Sequence, residues 1–294
     1  MPTSPAPGHG SRMIRIERRD DDFGRWMLAR WEPPELADVV EGLWYFEGSL
    51  SHPRERHLPD GRAELIVHLG PVYRLVEGER LDPFPSACAS GLLLGPELIE
   101  APPGRSAVLG IRLKPVGAFA VLGGTLEPLT GVTTDLQDVA GWDARRLVDR
   151  CDAARSPEAR LRVAAAWIAE RISAGPSPDA AVDWVSRSIE RSHGMASIGD
   201  LTERSGWSST RLVETFRRQV GVPPKRFARI MRFQHALGLV TTGRAPLSGI
   251  ALEAGYCDQS HFNGDFREMS GLTPTAYRAA LRFPGSANLA EHSE

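Results

Sequence analysis

Residues 254–266, AGYCDQSHFNGDF, place Cys257, Asp258, Ser260 and His261 close together in the chain. A cysteine or serine beside a histidine would suit nucleophilic catalysis, provided that the base is held against the nucleophile. If this stretch is helical, however, neighbouring side chains point about 100° apart. We therefore expect no catalytic residue here, and we interpret Cys257 as a small turn residue.

The same stretch belongs to an internal repeat. A pattern of two apolar residues three apart, followed five positions later by glycine, occurs at 198–206 and again at 247–255. A second pattern, an apolar residue, then Phe-Arg, then Gly-x-x-Pro, occurs at 212–224 and again at 262–274. Each copy predicts a short helix, a glycine turn and a second helix with its apolar pair one turn apart. The repeated unit is therefore predicted to be a helix-turn-helix.

The second helix of each unit is expected to turn polar side chains outward. In the second copy Gly255 ends the first helix, and Asp258 or Ser260 caps the next. Phe262 and Phe266 then face the core. Base edges and phosphates are read by basic, amide and hydroxyl side chains. The predicted DNA interface consists of Thr210, Arg211, Glu214, Arg217 and Arg218 in the first unit, Gln259, Ser260, His261, Asn263 and Arg267 in the second, and Lys225, Arg226 and Arg229 between them.

Two long segments resemble a known family. Residues 250–278, IALEAGYCDQSHFNGDFREMSGLTPTAYR, resemble the signature of the AraC/XylS family of bacterial transcription regulators, and residues 201–237 resemble its first helix-turn-helix and connecting helix. The resemblance implies a seven-helix domain whose two units, joined by a long helix near Lys225 to Val240, each place a recognition helix in the major groove. Residues 57–70 and 91–123 are more loosely similar to the N-terminal domain of a subgroup of such regulators, whose effector is generally uncharacterised.

The chain departs from the family pattern at Glu214 and Gly264. At these positions, two residues before Phe216 and two residues before Phe266, the family often has an outward arginine. A carboxylate repels phosphates, and a glycine inside a helix costs about 1 kcal/mol relative to alanine. Two interpretations of Glu214 stay open: it accepts a hydrogen bond from a cytosine amino group, or it pairs with Arg211 or Arg218 on its own helix.

Composition and charge favour two domains. The 294 residues, 41% of them hydrophobic, can form two cores. Residues 1–180 carry 21 Lys+Arg and 26 Asp+Glu, whereas residues 181–283 carry 14 and 9, which favours a nucleic-acid partner for the second half. We predict a β-rich N-terminal domain over 12–173, a linker over 174–178, a helical DNA-binding domain over 179–283 and a flexible acidic tail over 284–294.

The N-terminal domain is predicted to be α+β. Short apolar segments separated by glycine and proline predict strands at 64–69, 73–76, 92–94 and 108–113. From Leu136 to Ile172 apolar residues recur every three or four positions, which predicts helices broken at Gly141 and at Ser156-Pro157. The C-terminal domain is predicted to be all-α.

Other sites receive little support in the sequence. The histidines His52, His57 and His68 lack the His-x-His spacing of a metal-binding cupin, and the three cysteines form no CxxC, so we expect no metal and no cofactor. Trp44, Tyr45, His57 and Arg112 are candidates for the lining of a pocket in this domain. The alternative is that these aromatic residues belong to the hydrophobic core. Because no apolar run approaches about 20 residues and no signal sequence is evident, we expect a cytoplasmic protein without a membrane partner.

We therefore predict a sequence-specific DNA-binding transcription regulator that is not an enzyme. Its N-terminal domain is expected to bind an effector or to mediate oligomerisation. Double-stranded DNA is the expected partner, and a small-molecule effector, RNA polymerase and a second copy of the chain are further candidates. Two alternatives are an enzyme with a catalytic N-terminal domain and a protein-interaction module with degenerate DNA binding, the latter favoured by Glu214 and Gly264.

Overall fold

The N-terminal domain is rich in β-structure. The computed structural model describes residues 13–22, 24–243, 245–281 and 289–291. The strands are β1 (Arg15–Asp21), β2 (Gly24–Trp31), β3 (Val40–Leu50), β4 (Arg54–His57), β5 (Ala63–His68), β6 (Arg74–Glu77), β7 (Arg80–Pro83), β8 (Ala87–Ser90), β9 (Glu97–Glu100), β10 (Ser106–Leu113), β11 (Thr133–Asp135) and, near the C-terminus, β12 (Leu289–Glu291).

The strands form two antiparallel sheets. The first has the order β1-β2-β3-β10-β5-β8-β11 and the second the order β12-β4-β9-β6-β7. Successive side chains of a strand point to opposite faces. On β3, Tyr45 joins the larger core, whereas Trp44 packs beside a smaller core that includes Ile99 of the second sheet. Trp44 lies directly over Gly110, where an added Cβ would come within 2.1 Å of the indole ring.

Helices follow the strands, as predicted. They are α1 (Gly117–Leu122), α2 (Leu136–Ala140), α3 (Trp142–Ala153) and α4 (Pro157–Ala174), with a 3-10 turn at Glu127–Leu129. The predicted breaks are confirmed: Gly141 has a φ of +62° between α2 and α3, and Ser156 caps α4 by accepting a hydrogen bond from the Ala159 amide. Helix α4 packs on the first sheet, and the guanidinium of Arg160 donates to the Tyr45 hydroxyl.

The strand predicted at residues 92–94 is wrong. This segment is irregular and lies between β8 and β9. The Gly91 amide donates to the Val132 carbonyl, and the Leu92 carbonyl accepts from the Gly131 amide. Leu92 is buried in the core and Leu94 packs against it, so the segment contributes to the core from a loop. The other predicted strand segments correspond to β5, β6 and β10, with shifts of one or two residues at their ends.

The C-terminal region is helical and contains the predicted repeat. Among the described residues it has seven helices, α5 (Ala180–Arg191), α6 (Ile198–Ser205), α7 (Ser209–Val220), α8 (Pro224–Thr242), α9 (Leu247–Glu253), α10 (Gln259–Ser270) and α11 (Pro274–Ala280). Gly221 and Gly271 end α7 and α10 with φ values of +99° and +78°, and a proline opens the next helix in both copies. The first unit is α6 and α7, the second α9 and α10, and α8 connects them.

The two parts of the chain share one continuous apolar core. Val220 at the end of α7 lines a small apolar cavity together with Leu126 and Leu129 of the N-terminal domain. A second contact involves the turn at Gly61, where an added Cβ would come within 2.5 Å of Met231 on α8. The N-terminal domain therefore contacts both α7, the second helix of the first unit, and the connecting helix α8.

No helix in the described ranges is long and apolar enough to span a membrane.

Candidate nucleic-acid interface

Helix α7 holds the first predicted set of DNA contacts. Ser208 caps it by accepting a hydrogen bond from the Arg211 amide at 3.3 Å. Leu212 and Phe216 are fully buried and fix the orientation of the helix. The opposite face carries all five predicted side chains of this unit, of which four are exposed and one, Arg217, is half-buried; the exposed ones are Thr210, Arg211, Glu214 and Arg218.

The arginines of α7 differ in how they are held. The Arg211 guanidinium lies 4.1 Å from the centre of the Trp207 ring, a cation–π contact that orients it beside the turn. Arg217 pairs with Glu127 of the N-terminal domain at 3.3 Å, and Arg218 lies 3.6 Å from Asp179. Phosphate binding by the last two side chains would therefore compete with carboxylates of the protein itself.

Glu214 is exposed at the middle of the same face. In the part of the chain that the structure describes, its carboxylate forms no hydrogen bond or ion pair, and Arg211 and Arg218 are engaged elsewhere. The intrahelical pairing considered from the sequence is not present in this structure. Reading of a cytosine by Glu214 stays a prediction.

Helix α10 holds the second set. Of the two candidate caps, Asp258 is the one used, since its carboxylate accepts the His261 amide at 2.8 Å. Cys257 is exposed in the turn. Of the side chains predicted to contact DNA, Gln259, Ser260, His261 and Arg267 are exposed, whereas Asn263 is half-buried and its side-chain oxygen is buried. The cysteine, aspartate and histidine thus belong to a turn and a helix start.

The basic residues of α8 are not equally available. Lys225 is exposed at the start of the helix. Arg226 lies 3.8 Å from the carboxylate of Glu268, and Arg229 pairs with both Asp265 and Glu268 of α10. The hydrogen bonds from Arg229 to Glu268 and Asp265 raise the pKa of the guanidinium despite its partial burial. Arg229, predicted to be part of the DNA interface, is bound within the protein in this structure.

The four N-terminal residues considered as a pocket do not all share one face: Trp44 and Arg112 both lie beside Glu64, Tyr45 is on the other face, and His57 is on β4 of the second sheet. Trp44 donates to Glu64 at 2.7 Å on one face of the sheet, whereas Tyr45 is buried on the other face, and burial raises the pKa of Tyr45 to about 12. Arg112 binds Asp60 at 2.5 Å and belongs to an ionic cluster near the Gly61 turn. Within the described residues no group of three or more His, Cys, Asp or Glu side chains is placed to hold a metal.

The sequence analysis did not identify the carboxylates that pair with Arg217, Arg218 and Arg229. Glu127 and Asp179 lie outside the repeat, so the repeat pattern contained no sign of them. Asp265 did leave a signal: at 100° per residue it lies on the buried side of α10, about 60° from Phe262. A carboxylate on an apolar face requires a buried partner. Asp265 is indeed 5% exposed.

The chain is similar to known proteins over both parts. Residues 201–280 match a helix-turn-helix domain family, and residues 32–135 match a domain of unknown function, DUF6597. An uncharacterised HTH-type transcriptional regulator of Bacillus subtilis, YbfI, is 32% identical over 91 residues, 31% of this chain and 33% of that protein. The probable transcriptional regulator LumQ of Photobacterium leiognathi is 28% identical over 86 residues, 29% of this chain and 35% of that protein. The chain thus matches about a third of the length of these relatives.

Solved structures include similar chains. A probable AraC family transcriptional regulator from Rhodopseudomonas palustris is 33% identical, with 34% of this chain and 96% of that one covered and a TM-score of 0.32. The DNA-binding domain of AdpA in complex with a target DNA is 27% identical, with 35% and 94% covered and a TM-score of 0.33. ToxT from Vibrio cholerae is 11% identical, with 82% and 98% covered and a TM-score of 0.47.

Proposed function

We propose that this protein, whose C-terminal region is an AraC-type double helix-turn-helix domain, is a sequence-specific, DNA-binding transcription regulator. The observation that carries the proposal is the pair of recognition helices, α7 and α10, in one chain. Each buries an apolar stripe and turns a row of polar and basic side chains to solvent.

Two recognition helices in one chain favour an unsymmetrical site. Helices that enter successive major-groove faces lie about 34 Å apart, one turn of DNA. One monomer would then bind two short boxes of different sequence, one read by α7 and the other by α10. A twofold-symmetric protein dimer with one recognition helix per subunit would instead require a palindrome.

The side chains divide by position into base and phosphate contacts. Those on the outward faces of α7 and α10 are proposed to read bases, namely Thr210, Arg211, Glu214, Gln259, Ser260 and Asn263. Those at the edges are proposed to bind phosphates, namely Arg217, Arg218, Lys225, Arg226, His261 and Arg267. Arg229 is proposed to act within the protein, because two carboxylates already hold its guanidinium.

The domain boundaries support a division of labour. We propose a sensing or assembly domain over 12–173, a linker over 174–178, a DNA-binding domain over 179–283 and a tail over 284–294. The tail lies mostly outside the described residues, apart from β12. The contact of Glu127 with Arg217 supports an influence of the N-terminal domain on DNA binding. An effector, RNA polymerase and a second copy of the chain are its candidate partners.

A selection of genomic fragments by the purified full-length protein tests the proposal. Recurrent enriched sites are expected for the wild type. Arg267→Ala is expected to weaken their binding, whereas Arg80→Ala, which removes an exposed arginine of the N-terminal domain, is expected to leave it unchanged. Absence of any enriched sequence would contradict the proposal.

One observation favours a second function. The family that this chain resembles often has an outward arginine at the positions of Glu214 and Gly264, and both residues are exposed. A helix-turn-helix that has lost these contacts could serve as a protein-interaction module. Salt-insensitive retention of the protein on random DNA, or no retention at all, would favour this second function.

A further inference from the structure

A polar contact between α8 and α10 is built on a buried carboxylate. Asp265 is 5% exposed and lies on the inner side of recognition helix α10. One of its oxygens accepts a hydrogen bond from Arg229 of α8, and the other accepts from the Tyr256 hydroxyl at 2.8 Å. A buried carboxylate is tolerated only when such partners satisfy it.

A second carboxylate extends the same contact by one turn of α10. Glu268 binds the Arg229 guanidinium with both oxygens, at 2.8 and 2.5 Å. This two-pronged geometry restricts the orientation of the arginine as well as its position. Arg226 approaches Glu268 from one turn earlier on α8, at 3.8 Å. Asp265, Glu268, Arg229 and Tyr256, here called the α8–α10 cluster, therefore fix α10 against the connecting helix.

The first unit lacks an equivalent cluster. Fifty positions before Asp265 and Glu268 stand Thr215 and Arg218, neither of which is acidic. Helix α7 meets α8 through the rings of Phe216 and Phe227, whose centres lie 5.8 Å apart. Within the described residues, the ionic connection to α8 is therefore made by α10 and not by α7.

This asymmetry has a consequence for DNA recognition. Helix α8 is a single helix of 19 residues between the two units. Because α7 packs on α8 through the buried rings of Phe216 and Phe227, and α10 is held to α8 by directional bonds, α8 sets the distance and angle between α7 and α10. Inserting or removing one base pair between the two boxes moves one box relative to the other by about 3.4 Å along the DNA and rotates it by about 35°.

We propose that Asp265, Arg229 and Glu268 are positioning residues that set the spacing between the two DNA boxes which the protein accepts. The inference rests on the proposed function, since it assigns the cluster a role in DNA recognition. None of the three side chains needs to contact DNA for this role. Loosening the cluster lets α10 pivot on α8, so that a wrongly spaced box can still be reached.

The test measures binding of the full-length protein to a selected two-box site and to versions with one base pair removed or inserted between the boxes. For the wild type we expect a loss of about tenfold or more on either change, comparable with the loss of one good base contact. Asp265→Asn and Glu268→Gln should each reduce this penalty to about threefold or less, on the order of a weakened contact. Arg229→Lys should keep part of the wild-type preference for the correct spacing, because lysine retains the positive charge but lacks the planar guanidinium that binds both carboxylate oxygens.

The control is Glu203→Gln, which removes an exposed carboxylate from α6 and should leave the spacing penalty unchanged. Because Glu268 is half exposed, Glu268→Gln folds even if Asp265→Asn does not. A wild type without any two-box site would refute the proposed function and this inference with it. A two-box site whose spacing penalty is identical in the wild type and in Glu268→Gln would refute the inference alone.

Discussion

The pair Glu127–Arg217 couples the N-terminal domain to a proposed DNA contact. The Arg217 guanidinium and the Glu127 carboxylate lie 3.3 Å apart, and their side chains are 40% and 56% exposed. Nearby, the Leu126 amide donates to the Arg218 carbonyl at 2.8 Å, and the Thr130 hydroxyl donates to the Gly221 carbonyl at 2.8 Å. The end of recognition helix α7 is therefore docked on the segment 126–130. Glu127 competes there with phosphate for Arg217.

We predict that Glu127→Gln raises the affinity of the full-length protein for its DNA site. An ion pair between two side chains this exposed is worth about 0.2–1 kcal/mol. If binding must break the pair, its removal should strengthen binding by up to about fivefold, since 1.4 kcal/mol is a factor of ten in an equilibrium constant. The substitution keeps the backbone and the size of the side chain, so the docking of segment 126–130 is retained.

Fluorescence anisotropy with labelled DNA, in single and double variants, gives the measurement. Arg217→Ala should weaken binding, and in that background Glu127→Gln should add little, because its target is gone. Glu79→Gln removes an equally negative, exposed side chain from a turn of the N-terminal domain and serves as the control. The reasoning would be refuted by a Glu127→Gln protein with unchanged or weaker binding, or by equal gains in the presence and absence of Arg217.

Three further predictions concern the DNA-binding region. The fragment 179–283 should fold and bind DNA by itself. In this fragment Arg267→Ala should make the plot of log affinity against log salt concentration less steep by about 0.9. An unchanged slope in a folded variant would make Arg267 a packing residue. Glu214→Ala should relax a preference for C·G at one position of the first box while keeping or raising affinity for random DNA, and identical base preferences in a binding-site selection would eliminate the readout. Gly264→Arg should raise affinity and salt dependence above those of a Gly264→Ala control, since space is open beside this glycine; equal binding of the two variants would contradict a nearby phosphate.

The repeat made the C-terminal region predictable. Backbone geometry favours glycine at a positive φ and proline at the first helical position, so their recurrence located the helix ends. Gly221 and Gly271 agree with the prediction from the repeat, and the seven helices agree with what the family resemblance implies. The same local signals placed the breaks at Gly141 and Ser156 in the N-terminal domain.

Contacts between distant segments were beyond such signals. Apolar periodicity tells which face of a helix is buried but not what covers it. The pairing of Arg217 with Glu127 and of Arg229 with Asp265 depends on the folded arrangement of segments 36 or more residues apart. For the same reason apolar composition predicts a strand at 92–94, whereas this segment is a loop that places Leu92 in the core.

The central claim is that one chain recognises DNA with both α7 and α10. Selection of random-sequence DNA by the purified full-length protein, followed by sequencing and footprinting of the enriched sites, tests this claim most directly. The expected result is two short, different boxes about one DNA turn apart within the footprint of one monomer, with Arg211→Ala changing only the first box and Asn263→Ala only the second. A perfect palindrome with a single box per monomer, or no enriched sequence at all, would contradict the claim.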